Sequence, residues 1–428
     1  MPRLLLLLPT STYRTAAFLG AARKLGVEVV VASERTHVFQ QAQPGRFLSL
    51  DFLHPDHAAR QVVEFVATRP IDAVVGVDDA TTVLAAVLLN ALGLPHNAVR
   101  STAAARDKYR MRTLLRGDGV PVPPYALRSF DDDPVVEARR TAFPCVVKPL
   151  MLSASRGVIR ANDEAQFVGA VRRLERILRT PEAAADGEAA RQVLVEGFIP
   201  GREVALEGLL VKGDLHVLAL FDKPDPLDGP FFEETIYVTP SRLPSTVQAE
   251  IASCTARAAQ ALGLRDGPVH VELRVNHHGP SVIEIAARSI GGLCSRTLRF
   301  GTGLSLEELI LRQALGMEIP SLERECRAVG VMMIPIPRAG VLKEVRGQTE
   351  ARAVPGIDEV TITAHPGQDL VPLPEGASYP GFIFARAESP KRVEAALREA
   401  HRRLEFVVMA PRKPSEAVES RYRRSRIQ

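Results

Sequence analysis

Polar and apolar residues alternate along residues 270–275 (HVELRV) and again along 281–285 (SVIEI), with a run of turn formers, 276–280 (NHHGP), between them. Period-two alternation marks half-buried strands, so the pattern predicts an antiparallel hairpin. With its loop centred on His278, Glu272 and Glu284 face each other on one side of the ribbon, their Cβ atoms about 5 Å apart. Two carboxylates so placed repel unless a cation compensates, and a hard divalent ion is the obvious one. Arg288, four residues beyond Glu284, falls on the same face if the strand continues. It could grip a phosphate or carboxylate with two parallel N–H bonds. An isolated pair of glutamates is more often a solvated strand face, so the hairpin needs support from the rest of the chain.

Apolar periods elsewhere predict alternating strands and helices over residues 1–105: strands at 4–8, 27–32 and 73–77, helices at 13–25, 57–68 and 81–92. This is the pattern of a small doubly wound α/β domain. Asp78 and Asp79 sit at the carboxyl end of the third strand, where open α/β sheets bind ligands. No G-x-G-x-x-G follows the first strand, so a dinucleotide site is not supported. A helix opens at Asp107–Lys108–Tyr109, and residues 143–149 form a strand with Lys148 near its end. The stretch 152–158 (LSASRGV) is a small-residue loop that could offer backbone N–H groups to phosphates, although it lacks the Walker A pattern. Beyond it come a helix at 167–178, strands at 193–196 and 204–211, a helix at 245–262 and a helix at 304–315. Residues 221–240 read as one long irregular loop, of a length often associated with function. Residues 328–409 are strand-rich, with strands at 340–345, 359–364, 381–387 and 406–409 and a helix at 391–404. The tail from Pro411 is polar, Arg-rich and expected to be frayed.

Composition narrows the class. The chain has 428 residues, 46% hydrophobic and 24% charged, enough for two or three domains. A net charge of +4 over this length gives no case for nucleic-acid binding. Four scattered cysteines without a CxxC pair fit reduced thiols in a cytoplasm, not a disulfide framework or zinc site. The run 4–8 is too short for a signal-peptide core, and no window reaches the roughly 18–20 apolar residues of a membrane span.

These signals, taken in order from Asp107 to Gly316, resemble the ATP-grasp superfamily. The resemblance implies an α/β and α+β architecture: an N-terminal α/β domain (1–105), a two-part core closing on ATP (106–195 bearing the lid, 196–316 catalytic) and a C-terminal β-rich subdomain (317–410). Lys108 and Lys148 are similar to the family's phosphate-holding lysines. Ser153, Ser155, Arg156, Gly157 and Val158 resemble the loop that closes over the terminal phosphate. Glu196, Phe198 and Ile199 resemble the adenine hinge, and Glu203 the ribose carboxylate. Glu272 and Glu284 resemble the ligands of Mg²⁺ or Mn²⁺, and Arg288, with Lys148, the groups that offset charge on the transferred phosphoryl. Two departures stand out: Ala286 replaces a frequent Asn ligand, and Ala154 a frequent glycine in the loop.

Within the superfamily, EIAARSIGG and FDKPDP…FFEE…TPSRL look most like the L-amino-acid ligases. That resemblance implies ATP-dependent carboxylate–amine ligation through an acyl phosphate. The substrates would be small carboxylates and amines such as amino acids, and homodimers are frequent in similar ligases. A biotin-carboxylase-like or purine-pathway ligase is the alternative within the superfamily, and a non-catalytic nucleotide-binding protein the alternative outside it. The biotin route lacks a Met-Lys-Met lysine; Met332–Met333 has none.

Overall fold

The computed structural model describes residues 1–37 and 45–410; the basic tail expected from Pro411 lies outside the described residues. The N-terminal strands are Arg3–Leu7, Glu28–Ser33, Phe47–Ser49 and Ala73–Gly76, all parallel, with Arg3–Leu7 between Glu28–Ser33 and Ala73–Gly76. Leu4, Leu5, Leu6 and Leu7 are all fully buried, as a parallel strand covered on both faces requires. Phe47–Ser49 and helix Val99–Arg106 went unread; a three-residue strand is too short to show a period.

A second, antiparallel sheet carries the order Tyr125–Ser129, Gln192–Gly197, Cys145–Lys148, Ile159–Ala161. Helix Glu164–Leu178 covers it, packing Phe167, Val171 and Leu174 against Val147, Ile159 and Val195. Asp163 caps this helix by accepting from the Gln166 N–H.

The third sheet has eight antiparallel strands: Gly279–Ala286, Gly267–Asn276, Arg202–Val211, Asp214–Asp222, Ile236–Thr239, Ala328–Met333, Gly381–Ala387 and Ile357–Ile362. Two of these correct the sequence reading. Asp214–Asp222 was missed, and Ile236–Thr239 lies inside the supposed loop 221–240, leaving 223–235 as the irregular part. Of the C-terminal strands, Ala328–Met333, Gly381–Ala387 and Ile357–Ile362 extend the same sheet as the hairpin, while Asp369–Leu370, Gly340–Arg346 and Glu405–Met409 form a separate three-stranded sheet. Met332 and Met333 are buried strand residues within it.

Helix Ser245–Leu262 packs on one face of this sheet through Ile251 and Ala258 against Leu206, Val271 and Ile285. On the other face Phe221, Tyr237, Ile290, Phe300 and Phe382 share one apolar cluster with Leu4, Leu6 and Phe18 of the N-terminal unit. That shared cluster fixes the N-terminal unit against the eight-stranded sheet and the segment that follows the hairpin.

The hairpin forms as expected, but by a different register. Asn276 pairs with Gly279, so the turn is the two residues His277–His278 rather than a loop centred on His278. That register alone would set Glu272 opposite Ile283. A bulge between Glu272 and Leu273 on one strand, and Glu284 and Val282 on the other, takes up Ile283 and restores the Glu272–Glu284 pairing.

Candidate active site

A cleft of about 840 Å³ opens between the N-terminal unit, the lid sheet that carries Lys148 and the eight-stranded sheet, within the size range of small-molecule sites. It is lined by Lys108, Lys148, Ser153, Ser155, Arg156, Val158, Glu196, Phe198, Ile199, Glu203, Glu272, Glu284 and Arg288. Of the candidate residues only Gly157 is not on its wall.

The lid lysines are both nearly buried, Lys108 at 4% and Lys148 at 7% exposure. Asp107 starts the Lys108 helix by accepting from the Tyr109 and Arg110 N–H groups, which fixes where Lys108 emerges. Its ammonium donates to the Leu152 carbonyl at 2.7 Å and lies 3.7 Å from Glu284. Burial lowers the Lys108 ammonium below its ordinary value; Glu284 opposes this, and Arg106 and Lys148 add to it. Cations crowded this way favour an anion between them.

Lys148 is held differently. Its ammonium sits 2.7 Å from Glu196, whose other oxygen accepts from Arg112 Nε at 2.6 Å. Burial disfavours the Glu196 charge, but Arg112 and Lys148 hold its carboxyl below the ordinary value. The Glu196 side chain is therefore committed to a buried triad with Arg112 and Lys148, while the residue still lines the cleft beside Phe198 and Ile199. The hinge backbone is partly engaged too: Gly197 N–H donates to Pro124 O and Phe198 N–H to Pro144 O.

In the loop after Lys148, Ala154 and Ser155 both have φ of 54°. Left-handed backbone at two non-glycine residues is strained and gathers at ligand-gripping turns; it explains why glycine suits position 154. Gly157, at φ 74°, is turned away: its N–H donates to the Pro374 carbonyl at 2.9 Å. Its amide is thus taken up by the C-terminal region, while Ser153, Ser155, Arg156 and Val158 of the same loop line the cleft.

Across the cleft, Glu272 and Glu284 stand opposite one another on the hairpin. Glu272 also belongs to a group with Glu203 and Glu234, whose carboxylate oxygens lie within 4.8 Å of one another. Lys223 fills the middle of that group, 2.8 Å from Glu203 and 3.1 Å from Glu272, and bonded to Glu234. Despite burial, Lys223 and His270 hold Glu272 well below the ordinary carboxyl range. Burial and Glu272 push Glu234 up to about 7. Glu203 gives its second oxygen to Arg274 at 2.8 Å, so both its oxygens already have cationic partners. Hard carboxylate oxygens paired across a strand register fit Mg²⁺ or Mn²⁺, with Ala286 contributing none.

Arg288 leaves the hairpin toward the N-terminal unit. Its guanidinium lies 2.8 Å from Asp79, at the start of helix Asp79–Ala91, and donates to Ser289 O. Burial works against its charge, yet Asp79 raises it. Against burial, Arg288 and Arg106 hold the Asp79 carboxyl at about 2. Behind this pair Arg14, 2% exposed, donates to Val77 O and Ser289 Oγ. The sequence flags Asp79 by its strand end and the loop 221–240 as a whole, without singling out Lys223, Glu234 or Tyr237 within it, and gives no sign of Arg14; Arg14, Glu234 and Tyr237 reach the cleft wall through tertiary packing. Among the described residues no helix is long and apolar enough to cross a membrane.

The chain resembles known proteins. The ATP-grasp N-terminal domain family matches residues 19–96, the ATP-grasp domain family residues 141–297, and the L-amino acid ligase C-terminal domain 2 family residues 332–409. The alanine–anticapsin ligase of Bacillus subtilis (strain 168) is 23% identical over 282 residues, 61% of this chain and 59% of that protein. The dapdiamide A synthase of Enterobacter agglomerans is 26% identical over 341 residues, 77% of this chain and 78% of that protein. The crystal structure of an L-amino acid ligase from Bacillus licheniformis matches with a TM-score of 0.81 at 26% identity, covering 96% of this chain and 99% of that one. The chain spans only 62% and 59% of the length of two of the curated relatives it matches.

Proposed function

Because the chain belongs to the ATP-grasp superfamily and carries an L-amino acid ligase C-terminal domain, we propose that it is an ATP-dependent carboxylate–amine ligase. It would join two small substrates, amino acids among them, by an amide bond and release ADP and phosphate. One observation carries this reading: Lys108 and Lys148 on one side, and Glu272, Glu284 and Arg288 on the other, line a single cleft. The matched ligases, named for amino-acid substrates, support it.

The chemistry asks little covalent work of the protein. A carboxylate oxygen of the first substrate attacks the γ-phosphorus of ATP; the γ-phosphorus–oxygen bond breaks and ADP leaves. The amine then attacks the acyl carbon, sheds its proton, and phosphate departs with the former carboxylate oxygen. Lys108 and Lys148 would hold phosphate oxygens, Lys148 from its tether on Glu196. Phe198 and Ile199 would flank the adenine, and Glu203, already held by Lys223 and Arg274, would face the ribose. Ser153, Ser155, Arg156 and Val158 would cover the terminal phosphate and keep water out. Glu272 and Glu284 would hold Mg²⁺ or Mn²⁺, which supplies charge neutralisation at the phosphates. Arg288, oriented by Asp79, would offset charge on the phosphoryl group in flight.

The test is a screen of amino-acid pairs with ATP and Mg²⁺, following ADP, phosphate and a new amide mass together. Amide formation in step with ADP supports the reading. Stimulation by bicarbonate alone, or tight ATP binding with no turnover on any pair, would replace it.

A further inference from the structure

The segment 371–379 belongs to the C-terminal region, yet Val371, Glu375, Gly376, Ala377, Ser378 and Tyr379 all line the cleft. It is built to hold a fixed shape. Gly376 N–H donates back to Pro372 O, and a side chain at Gly376 would place its Cβ 1.7 Å from the Val371 carbonyl oxygen. Its far end is tied down where Thr363 Oγ donates to Tyr379 O at 2.8 Å and Tyr379 packs edge-on against Phe382.

This strap also grips the lid, 200 residues earlier in the chain. Pro374 O takes the N–H of Gly157, in the turn that follows the strained Ala154–Ser155 pair. Glu375 takes both Nε and Nη2 of Arg173, at 2.7 and 2.9 Å, from helix Glu164–Leu178 on the back of the lid sheet. The Arg173 guanidinium in turn covers the Phe231 ring at 4.9 Å, and Phe231 bridges Ile159, the first residue of the lid's edge strand. Strap, long loop and lid thus meet at one seam beside the phosphate loop.

We infer that Pro374 and Glu375 position the phosphate loop: the strap latches the lid shut through Gly157 and Arg173. This role rests on the ligase reading, because a shut lid matters most while a water-sensitive intermediate occupies the cleft. The strengths suit a latch. The Arg173 and Glu375 side chains are 37% and 43% exposed, and ion pairs in such positions are weak enough to open on every turnover. The bidentate geometry nonetheless fixes their orientation. An occupant beside Glu375–Tyr379 touches the strap, and the strap touches the loop, so filling this part of the cleft and closing the lid are coupled through one short segment.

The experiment uses the full chain with Glu375→Arg, Arg173→Glu and the charge-swapped double variant. Hydrogen exchange is followed at the Gly157 amide, and phosphate released is measured per amide formed. Each single change is expected to speed Gly157 exchange and raise unproductive phosphate release a few-fold, the range an exposed ion pair supports; the double variant is expected to restore both. Unchanged Gly157 exchange in the single variants, or a double variant no better than either, overturns the latch. Exchange needs no substrate, so that result stands whether or not an amide forms. A wild-type chain that makes no amide refutes the ligase reading instead, whatever the exchange shows.

Discussion

The buried triad of Arg112, Glu196 and Lys148 gives a sharp quantitative test. Glu196 is 2% exposed and Arg112 fully buried; the two ion pairs measure 2.6 and 2.7 Å. Arg112 also donates to the carbonyl of Ile283, the bulged residue between Val282 and Glu284. Three parts of the cleft wall therefore meet at one carboxylate. Changing Glu196→Ala leaves a guanidinium without a counter-charge in a dry site, which costs about 3–5 kcal/mol. At roughly 2–4 °C per kcal/mol for a unit of this size, the melting temperature should fall by about 10 °C. Replacing Glu196→Leu together with Arg112→Met removes one of the two stranded charges, leaving the Lys148 ammonium unpaired, and should recover only part of the loss. Thermal and urea denaturation of the three proteins, beside ATP titrations, decide the matter. If Glu196→Ala weakened ATP binding but left stability within about 0.5 kcal/mol of wild type, the triad would not be structural and the carboxylate would serve the nucleotide directly.

Asp79 supplies a pH signature. Held at about 2 against an ordinary 3.8, it stabilises the fold fully above pH 4, and that contribution disappears as the pH falls toward 2. The shift corresponds to about 2 kcal/mol, so acid titration of Asp79→Asn should lack this share of the loss; parallel acid curves for both proteins would deny it. Arg288→Lys keeps a charge but loses the fork that meets Asp79. Steady-state turnover should fall at least tenfold while the circular dichroism spectrum stays that of wild type. Chelating divalent ions should stop ADP formation and added Mg²⁺ restore it, with Glu284→Gln demanding far more Mg²⁺ in a titration of rate.

The sequence made the hairpin and its facing glutamates legible because alternation survives in the local pattern. The bulge at Ile283 was hidden, since one extra residue leaves composition and period almost untouched. Ile236–Thr239 was masked by the proline-rich loop before it, and Asp214–Asp222 by the turn that follows its partner strand too closely to separate them. Lys148, Lys108 and Arg288 could be proposed from their order along the chain. The ion partners that set their charge and aim — Glu196, Glu284 and Asp79 — are remote in sequence, on a neighbouring strand, on the hairpin and at a helix start. Nothing local revealed that Lys223 sits among Glu203, Glu234 and Glu272, or that Pro374 reaches back to Gly157. Contacts of this kind are made by topology, and only the folded chain displays them.

Oxygen tracing puts the proposed reaction to its most direct test. A substrate amino acid labelled with ¹⁸O in both carboxylate oxygens is turned over with ATP and an acceptor amine, and the released phosphate is analysed by mass. Ligation through an acyl phosphate requires one ¹⁸O atom in each phosphate formed. Unlabelled phosphate, or label recovered in AMP, would contradict it.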